Sequence, residues 1–158
     1  MPKATITDIT NAGFRAEQFG SPADWLTAST GYVAVELARA GRWVEARIGA
    51  TAYAAATAGT YLFDLLVQAE THKVASVFWR RRASYTDGNV LVGLQEGQYM
   101  ERREYLKHAE DAEAAAEQAL SDAIVEAGGT ATLPGTGASF GHIETGRYPV
   151  ASEGALNG

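Results

Sequence analysis

The chain has 158 residues, no cysteine and a formal net charge of −6; it is long enough for one domain with a real core, and it excludes a disulfide framework, a thiolate metal site and a cysteine nucleophile. The acidic excess is local, because residues 98–127 hold eight acidic and three basic side chains whereas residues 1–97 hold nine of each. That balance argues against a dedicated nucleic-acid binder, which needs a clustered basic surface for phosphate contacts.

The N-terminus has no apolar core of a secretory signal, and the uncharged run at residues 48–63 spans only 16 positions, too short and too weakly apolar to cross a bilayer. The expectation is a soluble protein folded in a reducing compartment, without membrane contact. Residues 1–20 scatter Ile6, Ile9, Phe14 and Phe19 among polar residues with no sustained period, which predicts an N-terminal arm, irregular or with one short helix. Ser21-Pro22-Ala23-Asp24 is a helix start: a serine cap, proline at the first helical position and an acid near the positive end. Trp25, Leu26, Val33, Val35, Leu37, Trp43, Val44 and Ile48 supply the core side of the segment that this start opens. Gly31, Gly41 and Gly49 are expected as breaks or close-packing points, with two helical pieces joined near Gly31 or Gly41. The alanine-rich run at 50–58 allows close helix approach and leads through a bend at Gly59.

Residues 59–82 form the helix around which the chain is organised, 24 residues or roughly 36 Å at the usual rise. Tyr61, Leu62, Leu65, Leu66 and Ala69 recur at helical spacing, and after a polar step at 70–73 the pattern resumes with Val74, Val77, Phe78 and Trp79. Phe63, Val67 and Val74 fall off that line, so the helix is expected to be covered on more than one side, by its own domain and by a neighbouring copy. Its end carries Arg80-Arg81-Arg82. Three arginines there suit the negative end of the helix dipole, and because consecutive side chains point in different directions, at least one is expected to meet a carboxylate or phosphate on a partner. Phe78, Trp79, Arg80, Arg81 and Arg82 are therefore the predicted inter-subunit contact.

Beyond this helix, an Asp87-Gly88 turn signal and the β-prone Val90-Leu91-Val92 predict a projecting loop or weak hairpin at 86–97. Residues 98–127 read as a second long helix with a narrow seam of Tyr99, Leu106, Ala109, Ala116, Leu120, Ala123, Ile124 and Ala127, stopped by Gly128-Gly129. Its outer face carries Glu110, Asp111, Glu113, Glu117, Asp122 and Glu126, a suitable recipient for the arginines of an adjacent copy. The fold class is all-α: a small bundle of three to four helices at 21–128, with the arm at 1–20 and an extended C-terminal arm at 129–158. That last segment is rich in glycine and poor in apolar area, so it cannot offset its own ordering entropy. Phe140, Ile143 and Tyr148 suit an extended strand lying on another protein's surface.

No catalytic, cofactor or metal residues are assigned. The run Gly135-Thr136-Gly137-Ala138-Ser139-Phe140-Gly141 has its third glycine misplaced for a dinucleotide loop and lacks the lysine of a phosphate loop. His72, His108 and His142 fall in three different segments without ligand spacing. The carboxylate pair Glu113/Glu117 belongs to what reads as a solvated face, and no GxSxG nucleophile motif is present.

The succession Trp43-Val44-Glu45-Ala46-Arg47-Ile48-Gly49, an alanine-rich helix, Leu65-Leu66 with Ala69-Glu70, then Trp79-Arg80-Arg81-Arg82-Ala83, a loop, an acidic helix and a glycine-rich tail resembles head-to-tail connector (adaptor) proteins of tailed bacteriophages. The resemblance covers roughly residues 20–127 and lies in pattern and order, without an invariant signature. It implies a virion protein of the neck, made in the host cytoplasm: a homo-oligomeric ring, commonly of twelve copies, beneath the portal protein. Such a ring extends the channel for packaged DNA, which passes without specific recognition, and offers the docking surface for a tail or stopper protein. By the same resemblance, the loop at 86–97 and the tail at 129–158 would reach adjacent proteins, with Phe140, Ile143 and Tyr148 against the portal. Two other classes compete: a small wall-degrading lysozyme-like enzyme, against which stands the lack of an isolated carboxylate flanked by aromatics, and a helical partner-binding module.

Overall fold

A computed structural model of the chain describes residues 1–19, 31–86 and 102–129. The predicted helix start at Pro22, all of the predicted loop at 86–97 except Thr86, which ends a helix, and the tail residues Phe140, Ile143 and Tyr148 lie outside the described residues. The described residues form an all-α bundle, with no strand among them.

Helix α1 (Ile6–Asn11) begins at a capping box, in which the Asp8 carboxylate accepts from the Thr5 backbone N–H at 2.7 Å and Thr5 Oγ1 accepts from the Asp8 N–H at 3.4 Å. Gly13 turns the chain with φ +93°, and a 3-10 turn follows at Ala16–Gln18. Helix α2 (Tyr32–Ile48) starts at Gly31 and buries Val33, Leu37, Ala40, Gly41 and Val44 at helical spacing. Of the two positions expected to join helical pieces, Gly31 stands at the start of this helix, with the piece before it outside the described residues, and the helix runs straight through Gly41. There a Cβ would come within 3.0 Å of the Pro2 Cα and 3.2 Å of the Tyr53 hydroxyl, so this glycine is a close approach and not a hinge. The helix ends at Gly49, another of the expected breaks, φ +92°, and the short α3 (Ala50–Ala55) begins there.

Helix α4 (Tyr61–Thr86) has 26 residues, and Thr60 opens it by accepting from the Phe63 N–H at 3.2 Å. Gly59, φ +87°, is the bend that the sequence predicts. Helix α5 (Arg102–Glu126) runs antiparallel to α4, since Leu66 shares a cluster with Leu120, Lys73 meets Glu113 and Trp79 stacks on Tyr105. It stops as predicted at Gly128-Gly129: the Gly129 N–H donates to the Ile124 carbonyl at 2.8 Å and Gly128 has φ +82°, a Schellman close. The seam of α5 is Tyr105, Ala109, Ala116, Ala119, Leu120 and Ala123. Leu106 and Ala127, expected in it, are exposed.

Two core clusters line α4. One joins Ala4, Ile9 and Phe14 to Val33, Leu37, Val74 and Phe78; the other joins Val44, Tyr53, Leu65, Leu66 and Ala69 to Ala119, Leu120 and Ala123. The segment read from sequence as an arm thus closes one end of the bundle, with Ile9 and Phe14 fully buried.

Candidate functional site

The C-terminal half of α4 carries the residues predicted to meet another copy. Phe78 is 0% exposed, with Phe14 edge-on at 5.3 Å, Phe19 at 4.7 Å and Tyr32 stacked at 5.2 Å. Its side chain is therefore a core anchor of its own chain, which revises its assignment as an inter-subunit contact. Trp79 is half-buried, edge-on to Phe14 at 5.1 Å and stacked on Tyr105 and His108 from α5. The arginines are also engaged within the chain. The Arg81 guanidinium lies 3.9 Å above the Tyr32 ring centre, and that of Arg82 lies 5.5 Å from Trp79 and 5.1 Å from Tyr105. Arg80 pairs with Glu113 at 3.6 Å. One of the three arginines, Arg80, thus meets the acidic helix of its own chain, because the antiparallel α4–α5 hairpin brings residues 80 and 113 side by side.

This pairing extends along the hairpin as a ladder of charges. Glu113 accepts from Lys73 and from the buried Ser76 hydroxyl, the latter at 2.7 Å. Burial would raise the Glu113 carboxyl, but the Lys73 and Ser76 hydrogen bonds and the charges of Lys73 and Arg80 outweigh it and hold it below its ordinary value. One turn further on, Glu117 pairs with Arg47 from α2. Trp43 lies between the two cations, with Arg47 and Lys73 each 4.7 Å from its ring centre. So Glu113 and Glu117, read from sequence as a solvated face, tie three helices together. Glu110, Asp111, Asp122 and Glu126 remain exposed as predicted. Beside the ladder a shallow cleft of about 240 Å³ between α2 and α4 is floored by Ala40, Trp43, Val74 and Val77 and edged by the Glu36–Arg39 ion pair and Lys73.

The third cluster was not legible from spacing. Glu70, counted in the polar step of α4, is 0% exposed and accepts from the backbone N–H groups of Lys3 and Ala4, both at 2.7 Å. Tyr53 on α3 donates to its other oxygen at 2.5 Å. Burial pushes the Glu70 carboxyl up despite these donors, and burial, then the Glu70 contact, pushes the Tyr53 phenol well above the ordinary phenol range. The one available signal was position: Leu66, Glu70 and Val74 stand at i, i+4 and i+8, an acid in line with apolar neighbours. Being enclosed, Glu70 has no path to a substrate.

The histidines do not converge. His72 is half-buried, and burial lowers its imidazole from the ordinary value; His108 lies on Trp79, and His142 is outside the described residues. Among the described residues no group of three or more His, Asp or Glu is placed to hold a metal ion, and no helix is long and apolar enough to cross a membrane. No family model, curated protein or solved structure matches the chain.

Proposed function

We propose that this chain is a structural virion protein of the phage neck, one subunit of a ring that sits between portal and tail, extends the DNA channel and presents the tail-docking surface. The observation that carries this reading is how the resemblance falls on the fold. The Trp43–Gly49 run closes α2 at a break, the alanine-rich α3 follows, Leu65 to Glu70 occupies the centre of α4 and Trp79 to Ala83 its end, and the acidic α5 returns alongside. The blocks that fall on described residues follow one another along α2 to α5, and the loop and the glycine-rich tail lie outside the described residues. The ordered blocks also carry residues that hold the bundle together, Trp43, Glu70 and Trp79 among them.

With Phe78 enclosed and Arg81 and Arg82 set on aromatic rings of their own chain, contacts between copies fall to the exposed side chains. These include the outer carboxylates of α5 and Arg80, which is 52% exposed at its side chain. Residues 130–158, through Phe140, Ile143 and Tyr148, are proposed to lie along the portal, and a closed ring would repeat that modest contact in every subunit.

Native mass spectrometry of the full chain, alone and mixed with the portal of the same phage, tests the reading. A closed ring of many copies on the portal is the expected result, with loss of portal capture when residues 130–158 are deleted. A chain that stays monomeric or dimeric in both conditions removes the proposal, and clearing of a cell-wall suspension by the purified protein would replace it with the enzyme.

A further inference from the structure

The α4–α5 hairpin is electrically polarised along its length. Residues 61–72 of α4 and 114–126 of α5, which share one end, hold five carboxylates and no lysine or arginine, whereas residues 73–86 and 102–113 hold seven lysines and arginines against four carboxylates. The register set by Lys73 on Glu113, and by Leu66 in one cluster with Leu120, puts residue 61 level with 125 and residue 64 level with 122. The acidic end is thereby a tip on which Tyr61 and Val125 stand exposed among Asp64, Asp122 and Glu126. Among the described residues these are two of the four large apolar side chains left exposed, and none of the three carboxylates is in an ion pair. A single exposed apolar residue is ordinary, but a pair at one tip, ringed by unneutralised acids, is a knob of definite character.

The cleft between α2 and α4 has the opposite character. Its floor is Ala40, Trp43, Val74 and Val77, and its edges carry Arg39 and Lys73. Each of these cations has an acid of its own chain, Glu36 and Glu113 respectively. The Arg39 side chain nevertheless stays 63% exposed while that of Glu36 is 7% exposed, so the cation is what this edge shows to solvent, and a guanidinium or an ammonium keeps further N–H donors after one pairing. At about 240 Å³ the cleft is smaller than the usual small-molecule site of about 300–1,000 Å³; it has room for a protruding side chain. Tip and cleft cannot meet within one chain, because residues 61 and 73 lie on the same helix, roughly 18 Å apart at the usual rise.

We propose that copies of this chain join head to tail through these two surfaces: the Tyr61–Val125 tip of one copy seats on the Trp43–Val77 floor of the next, and its carboxylates face Arg39 and Lys73. The inference rests on the reading of the chain as a ring subunit, for which it names the faces that copies share. Opposite charge steers the encounter and fixes its register, while the apolar floor supplies the holding contact. Pairing of tip with tip would set unneutralised carboxylates against one another, a like-charge arrangement that disfavours a two-fold dimer through this end. Because tip and cleft are different patches of one chain, each joined copy still presents one of them, and the series closes as a ring or runs on as a filament.

Sedimentation velocity of the full chain over a range of concentrations, with and without the portal of the same phage, supplies the test. Asp122→Lys combined with Glu126→Lys reverses the tip; both positions are exposed and lysine suits the last turns of a helix, so the fold is kept. Val77→Phe fills the cleft from its own floor. Each variant should weaken association by about tenfold or more, as for a central interface residue. The tip variant keeps its cleft and the cleft variant keeps its tip, so an equimolar mixture should give pairs of one of each and nothing larger. Association undiminished in the tip variant, or a mixture that does not pair or grows beyond pairs, overturns the interface; should Val77→Phe fail to fold, the tip variant decides alone. A portal ring that takes up the tip variant as readily as the unaltered chain overturns the interface and leaves the ring reading standing. Association that the tip variant loses, in a chain that no portal captures, upholds the interface and removes the neck reading, and a chain that is monomeric in both conditions overturns both.

Discussion

The two ends of α4 are held by different means. At its C-terminal end, Phe78 sits among rings contributed by residues 14, 19 and 32; a few large side chains from distant parts of the sequence fill the space. Toward its N-terminal end, Leu65, Leu66 and Ala69 meet a seam of Ala119, Leu120 and Ala123 on α5, where small side chains let two helices approach closely. The first arrangement is sensitive to removal of volume and the second to its addition, because interiors are close-packed and cavities and overpacking both destabilise. The same hairpin also carries two carboxylates displaced in opposite directions: Glu70, enclosed and facing neutral donors, is raised, and Glu113, less enclosed and facing Lys73 and Arg80, is lowered.

The largest expected effect is at the aromatic end. Phe78→Ala should cost about 3–5 kcal/mol of stability in denaturant unfolding, the usual range for deleting a buried ring. A cost near 1 kcal/mol would mean that this end is not an anchor, and the contrast with the alanine seam would collapse.

Next comes the seam itself. Ala116 is 0% exposed, and Ala116→Leu should cost about 1–3 kcal/mol through overpacking. The same exchange at the exposed Ala114 should leave unfolding almost unchanged, which separates a packing effect from helix propensity. If both substitutions behave alike, the close approach of α4 and α5 is not what holds this end.

The charge ladder is smaller. Glu113→Gln should cost about 1 kcal/mol or less, as for part-exposed ion pairs, and the cost should shrink in high salt. Because the Glu113 carboxyl is lowered on folding, its stabilisation is present above the ordinary glutamate range and is lost as pH falls through the lowered value. Comparing the acid limbs of the unaltered chain and the variant isolates it, and identical limbs would remove Glu113 from the account. Glu70 carries the opposite sign, so the pair should be separable in one pH series.

The smallest effect expected is Arg47→Met, which deletes the guanidinium over Trp43 and the partner of Glu117. A loss of about 0.5–1 kcal/mol is the expectation for a cation–π contact at a part-exposed site, read from unfolding curves at low salt.

What the sequence determined by itself is what depends on neighbours along the chain. The all-α class, the bend at Gly59, the long apolar helix and the stop at Gly128-Gly129 follow from helical spacing and glycine placement, which act within a few residues. The excess of apolar residues on the central helix was also legible, but its cause was not. Cover by the chain's own domain and by a neighbouring copy is the expectation, but not which segments supply the first: Ile9 and Phe14 and the hairpin partner α5 do much of it, and an N-terminal segment without periodicity gives no sign of docking more than 60 residues away, as Glu70 shows by holding Lys3 at a separation of 67. The tertiary structure alone decided which carboxylates are solvated. Glu113 and Glu117 share a face with Glu110 in the sequence pattern, yet only the antiparallel return of α5 sets the first two against Lys73 and Arg47. Glu70 likewise reads as one polar residue among four, and only the arrival of α3 and residues 1–4 makes it a buried acid, since burial and hydrogen-bond partners are properties of what the fold brings near and not of spacing along a helix.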